Sequence, residues 1–418
     1  MRYAKLSALG MLAASLCCGS AVAQETYQPY QVIENRIVSP TVADTQDVGF
    51  FVGENYDSNV ARSDEAIAES RGIKRSDEIT DIGMNATVIQ TLGIQRFFIR
   101  GDASYSWYAN NHILDTAFAH FSGGDTLRLG TCEATLQGDY YRRRSDYPVV
   151  LPQDISNVRT TGSVGLNLGC GHKYGFAPHV SATERWNTNS ADIYRFANNQ
   201  VATVTGGLDY RAPVFGSLGV YGEFDNVRYN EAVLDVEGNL FRDEFDIYSG
   251  GLKYEKQFDP RFGVKAIVTY TDVNSNIPEG PNFQGLTYTF DAAYEPAPQM
   301  VAHANFSREV LPSNEPYATF RVQETYEADV SFAVRERMRL MLDGAVNHIA
   351  FHGTSLFLPA VNLQTQTLYQ IRGTASFMLN RRLWFDILAS EERGDTDYPG
   401  LNFWSTRVGA RVRVSFGH

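Results

Sequence analysis

The chain has 418 residues, a formal net charge of −12 and 43% hydrophobic residues. An acidic, lysine-poor chain is badly suited to nucleic acid, and no apolar run past the leader approaches the ~20 residues of a membrane-spanning helix. The 25 Phe, 23 Tyr and 35 Gly, with a negative mean hydropathy, leave open a chain that crosses a membrane in strands, since such strands are apolar only at every second position.

In chain order, the first element is a leader. Arg2 and Lys5, the apolar run Leu6–Leu16 and the small-x-small site Ala21-Val22-Ala23 predict a secretory signal peptide over 1–23. Cys17 and Cys18 lack the preceding small residues of a lipoprotein signal. Residues 24–46 are polar, proline-containing and aperiodic, and read as a short periplasmic N-terminal segment. From residue 47 to 418 one grammar repeats: stretches of alternating polarity separated in turn by short tight links and longer polar ones.

The opening strand is expected at Asp47–Tyr56. In Ile94–Trp107, Phe97, Ile99, Ala103, Tyr105 and Trp107 share one face, while Arg96, Arg100 and Asp102 lie on the other. In Phe320–Val334, Val322, Tyr326, Val330 and Phe332 oppose Arg321, Gln323, Glu327 and Asp329. Arg339 and Asp343 alternate with Leu340 and Leu342, and Asp386 and Glu392 oppose Phe385, Ile387 and Ala389. At the C-terminus Arg407, Arg411 and Arg413 alternate with Val408, Ala410, Val412 and Val414. A period of two is the period of a strand. Many of these strands reach ten residues or more, longer than the five or six usual in soluble sheets and suited to a tilted membrane crossing.

One opening strand, a pair around each short link and one closing strand over Leu401–Phe416 make an all-β, antiparallel transmembrane barrel of about 18 strands, with 16 possible. An even number returns both termini to the periplasmic side. The soluble rivals are a secreted β-helix or a lectin-like sandwich. Their packed cores would not accept the unpaired charge these polar faces carry, whereas a water-filled lumen does.

The polar faces supply the candidate lumen residues: Arg96, Arg100, Asp102, Arg321, Gln323, Glu327, Asp329, Arg339, Asp343, Asp386, Glu392, Arg407, Arg411 and Arg413. They would form a mixed-charge wall for a polar solute or polymer. The plainer reading is that they wet the wall and pair with each other across strands. Trp107, Tyr108, Tyr140, Tyr141, Trp186, Tyr221, Tyr229, Tyr270, Trp384 and Trp404 lie near strand ends and read as interfacial anchors or sugar-stacking platforms.

Two cysteines remain after the leader, Cys132 and Cys170. A hairpin folded symmetrically about the intervening loop sets them opposite each other, on the apolar parity of both strands. Either a disulfide at the outer rim near the periplasm or two free thiols fits this placement. No HExxH metal motif and no GxSxG elbow is present, so neither an enzyme nor a bound cofactor or metal is expected.

The stretch Ser76–Arg144, with the turn Thr91-Leu92-Gly93, the following Gln95-Arg96-Phe97 and the closing Asp139-Tyr140-Tyr141-Arg142-Arg143-Arg144, resembles the outer-membrane barrels of exopolysaccharide biosynthesis operons, the EpsL-like group of porin-type barrels. Weaker similarity runs on to the C-terminus. The resemblance implies a passive conduit in the cell outer membrane for a secreted polysaccharide, working with a periplasmic polysaccharide export protein and an inner-membrane copolymerase. One departure is the end of the chain: Phe416 is followed by Gly417 and His418, where barrels of this kind commonly stop on phenylalanine.

Two other functions compete. A general or solute-specific porin would fold a long loop inward, and the candidate is Asp57–Asp77, with Arg62, Asp64, Glu65, Glu69, Arg71, Lys74 and Arg75 in it. A surface or adhesion barrel would transport nothing and bind through its loops.

Overall fold

The computed structural model describes residues 44–145, 157–171, 174–234, 240–276, 281–313, 318–353, 364–397 and 399–417. The expected signal peptide and nearly all of the N-terminal segment lie outside these residues, as does His418.

Eighteen strands close into one antiparallel sheet. They are β1 (Thr45–Asp57), β2 (Asp77–Leu92), β3 (Gln95–Tyr108), β4 (Thr116–Leu129), β5 (Cys132–Arg144), β6 (Val158–Cys170), β7 (Gly175–Asn189), β8 (Asn199–Ala212) and β9 (Gly216–Leu234). The remainder are β10 (Leu240–Asp259), β11 (Phe262–Ser275), β12 (Phe283–Ala297), β13 (Met300–Pro312), β14 (Phe320–Arg335), β15 (Met338–His352), β16 (Thr365–Met378), β17 (Leu383–Thr396) and β18 (Phe403–Gly417). Each strand pairs with its sequence neighbours, and β1 pairs with β18 to close the barrel. The expected class and strand number hold. The boundaries shift slightly: β1 begins at Thr45, and Leu401 belongs to a short 3-10 turn, Pro399–Leu401, rather than to the last strand.

Closure follows from the sequence pattern. Strands of 13 to 20 residues leave no edge, so the backbone groups of neighbouring strands pair throughout. The register keeps one parity outward around the whole circuit. Phe50, Val52, Ile82, Met84, Ile99, Phe121, Leu136, Leu166, Val204, Val220, Leu252, Val268, Leu286, Leu342, Ile371, Ile387 and Val408 are all exposed on that face. A one-residue slip would turn any of these apolar rows into the lumen.

Eight short turns lie at the end that holds both termini, and the longer connections lie at the other. In outer-membrane barrels the short-turn end is periplasmic. Gly93 (φ 64°) and Gly130 (φ 68°) take left-handed conformations in the β2–β3 and β4–β5 turns, which glycine adopts without a Cβ clash. On the periplasmic rim, Cys132 and Cys170 are register partners on β5 and β6, face outward, and are joined by a disulfide.

Candidate functional site

The chemistry-bearing surface is the inner wall together with the extracellular mouth. All fourteen candidate wall residues occupy positions on the inward parity of their strands, opposite the exposed apolar row.

The structure brings many of them to partners on adjacent strands. Arg413 NH2 is 3.5 Å from Asp386 Oδ1 on β17. Arg407 NH2 is 3.4 Å from Asp81 Oδ2 on β2, reaching past β1. Asp343 receives a forked pair from Arg372 on β16, with NH2 at 2.8 Å and Nε at 3.0 Å. Asp329 accepts from His303 Nδ1 at 3.2 Å, while His303 Nε2 lies 2.8 Å from Asp291. Asp102 lies 3.2 Å from His120 Nδ1. Arg411 stands opposite Gly53 on β1 and Asp386 on β17, with its guanidinium carbon 4.6 Å from the Phe51 ring centroid.

The missing Cβ at Gly53 matters here. A Cβ there would stand 3.4 Å from the Arg411 Cβ and 3.1 Å from the Ala410 carbonyl oxygen. Asn55 fits into the reciprocal gap at Gly409 and donates to Asp81 Oδ2 at 2.7 Å. Thus β17, β18, β1 and β2 are tied by charges on the wall. These pairs neutralise part of the wall charge locally, across neighbouring strands.

Two assemblies narrow the extracellular mouth. In the first, the 58–76 connection folds over the ends of β1, β2 and β3. Val60, Ala61, Ala68, Ile73, Ile79, Tyr108 and Leu114 form an apolar cluster under it, with the short helix α1 (Glu65–Ser70) above. Asp64 caps α1 by accepting from the Ile67 amide at 2.8 Å. The connection is pinned by Arg62, the one non-glycine residue with positive φ (49°) among the described residues. Its side chain is only 11% exposed; NH2 lies 3.0 Å from Asp57 Oδ2, Nε 3.0 Å from Glu392 Oε2 and NH1 3.0 Å from Ser405 Oγ. All three partners face inward, so the guanidinium holds the loop to the inner wall. Arg71 NH1 donates to the Ala61 carbonyl at 3.3 Å, and burial pushes its guanidinium below its ordinary value.

In the second assembly, the extracellular end of β14 leans across the lumen. Phe320 and Val322 have the parity of the exposed Tyr326 and Phe332, yet they pack on the inward-facing Val201, Val227, Phe245, Ile247 and Val273 of β8 to β11. Phe245 and Phe320 are both 0% exposed, with ring centroids 6.0 Å apart. Tyr229 Oη on β9 lies 2.6 Å from the Thr319 carbonyl oxygen and 3.1 Å from that of Ser313, and shares its hydrogen between them. Arg321 and Gln323, on the opposite parity of this strand end, are buried as well.

A closed barrel with an apolar outer belt and a charged inner wall can lie only in lipid. This is a multi-pass barrel of the outer membrane. No family model matches the chain and no curated protein matches its sequence. Several solved structures are similar to it in shape. One is a BenF-like porin from Pseudomonas fluorescens Pf-5, at 10% identity and TM-score 0.45, covering 90% of this chain and 100% of that one. Another is OccK2 (OpdF) from Pseudomonas aeruginosa in complex with glucuronate, at 11% identity and TM-score 0.44, covering 89% and 98%. A third is the siderophore receptor PirA from Acinetobacter baumannii, at 8% identity and TM-score 0.46, covering 90% and 81%.

The ten aromatic candidates divide evenly between the two faces of the wall. Trp107, Tyr140, Trp186, Tyr270 and Trp404 face outward. Tyr141 faces inward, with its ring 5.4 Å from Phe118 and 5.7 Å from His120. Trp384 is inward beneath Arg413, Tyr221 is inward with Oη 2.5 Å from Thr269 Oγ1, and Tyr108 and Tyr229 are buried. Sequence reasoning also missed Asp81, Arg372, His303 and Asp291. Their strand parity is the signal that would have found them. Among the described residues no group of three or more His, Cys, Asp or Glu side chains could hold a metal ion.

Proposed function

We propose that the barrel is a passive channel for small polar solutes across the outer membrane. The carrying observation is the mouth: a porin-like bore whose entrance is narrowed by a loop pinned through Arg62 and by the β14 end packed on β8 to β11. The paired wall wets the bore, and passage by diffusion needs no catalytic group.

A second reading is passage of a secreted polysaccharide, with a periplasmic export protein and an inner-membrane copolymerase as partners. It is supported by the inward aromatic rings Phe51, Phe118, Tyr141 and Trp384, whose faces suit sugar rings. Its difficulty is the narrowed mouth, which a polymer would have to displace.

Liposome swelling separates the two. Purified barrel should admit monosaccharides and disaccharides and exclude longer oligosaccharides. If small sugars fail to enter while a deletion strain loses surface polysaccharide, the porin reading falls and the polymer reading replaces it.

A further inference from the structure

The apolar contact of the β14 end has a charged underside. On β9 the inward positions just below Val227 are Asp225 and Glu223. β13 pairs with β12 only as far as Arg308, while β12 continues beside β11 to Phe283. Glu309 is thus the first inward residue of the part of β13 that has left the wall. The lean carries its carboxylate to where it feels both Glu223, four strands away, and Arg185 on β7. Arg185 also acts on Asp225. Three carboxylates therefore gather around one guanidinium at the narrowed mouth.

Hydrogen bonds do not remove this excess. Asp225 accepts from Thr203 Oγ1, and Glu223 Oε2 accepts from Thr205 Oγ1 at 3.0 Å, both neutral donors. Glu309 is half-buried, and no side chain among the described residues donates to it. The surrounding wall is built of hydroxyls: Thr205, Thr269, Thr271, Thr287, Ser307 and Thr325. Gln323 adds a second, independent sign. It stands directly across from Glu309 on β14, is 2% exposed and gives its Nε2 to Thr325 at 3.2 Å, yet its Oε1 has no donor among the described residues. Acceptors in excess on several sides suit a guest that brings N–H donors or positive charge.

We infer, resting on the channel reading, that this constriction selects small cations, organic ammonium and guanidinium ions included. In a narrow gap walled by protein, the field of the carboxylates is poorly screened and concentrates counter-ions. Acidic side chains at a constriction are also how cation channels hold back anions. Among the described residues no group could hold a metal ion, so the passenger is a hydrated or organic cation moving past the carboxylates. Glu309 is the determinant that strand parity alone would leave far from Glu223; the lean of the strand end brings it into place.

The test is the reversal potential of the full mature barrel in planar bilayers under a potassium chloride gradient, with the disulfide left oxidised. Potassium should permeate several-fold over chloride. Glu309→Gln forfeits no hydrogen bond and should lower that ratio by about twofold or more, and Glu309→Lys should invert it. Glu133→Gln, at the periplasmic end and away from the constriction, should change it far less. Assembly is checked for each variant by its heat-modifiable gel shift, and Glu223→Gln replaces Glu309→Gln if that variant fails to fold. Conductance without preference for potassium, or a preference that Glu309→Gln and Glu223→Gln both leave intact, overturns the inference and leaves the channel reading standing. A folded barrel that passes no current overturns the channel reading itself, and cation selection falls with it.

Discussion

The two assemblies at the mouth narrow the same opening with different forces. The 58–76 loop rests on an apolar cluster of mostly small side chains and is fastened to the wall by one guanidinium shared among Asp57, Glu392 and Ser405. The β14 end is held by burying Phe320 and Val322 on five apolar side chains. The first contact is directional and depends on groups that are costly to leave alone. The second is non-directional and fails gradually as area is lost. The loop adds a directional latch to a modest apolar footing, whereas the strand end relies chiefly on its larger aromatic interface.

Substitutions at each site would break this comparison. The largest effect is expected from Phe320→Ala, which empties the centre of the apolar contact and should lower the local opening free energy of the β14 end by ~3–5 kcal/mol. Hydrogen exchange at the ends of β13 and β14 reads this, and amides in the 58–76 loop should keep their protection. Arg62→Ala comes next, at ~1–3 kcal/mol, because Asp57 and Glu392 are left facing each other on the wall. Here the loop amides should exchange faster, single-channel conductance should rise, and the β14 end should be unchanged. Arg62→Lys keeps the charge but loses the planar fork, so it should recover only part of the protection. Tyr229→Phe removes one hydroxyl from the tip and should cost ~0.5–1.5 kcal/mol there. Opening the Cys132–Cys170 bridge, at the far end of the barrel, should alter neither reading; peptide mass spectrometry before and after reduction verifies its state. If Phe320→Ala and Arg62→Ala each loosened both regions equally, the two would be one assembly and the comparison would fail.

Much of this was readable in the chain. The alternation from Trp404 to Phe416 announces a strand with arginines on its wet side, and the short links count the hairpins. The opposition of Cys132 and Cys170 came from hairpin symmetry alone. What periodicity could not show is curvature. Phe320 reads as an outward residue because Tyr326 and Phe332 share its parity, and only the lean of the strand end turns it inward. Nor could it pair Arg62 with Glu392, since a loop side chain has no register to follow. The choice between outer anchor and inward ring, open in the aromatic list, had a readable sign: Tyr141 shares the parity of Asp139 and Trp384 that of Asp386. Nearness to a strand end does not choose between the faces; parity does.

The seam between β18 and β1 also bears on how the barrel comes together. These strands lie at opposite ends of the chain, so their pairing closes the longest loop and is expected late in folding. A one-residue error at that step is blocked by the apolar pattern. A two-residue error is not, because it returns every side chain to its proper face. Only fitted shapes can reject it. In the native register Arg411 lies over Gly53 and Asn55 over Gly409. Slipped by two in one direction, Arg411 would meet Asn55; in the other, Phe51. The glycines of this last seam thus act as the notches of a key, and the arginines that wet the channel also set the shear at which it shuts.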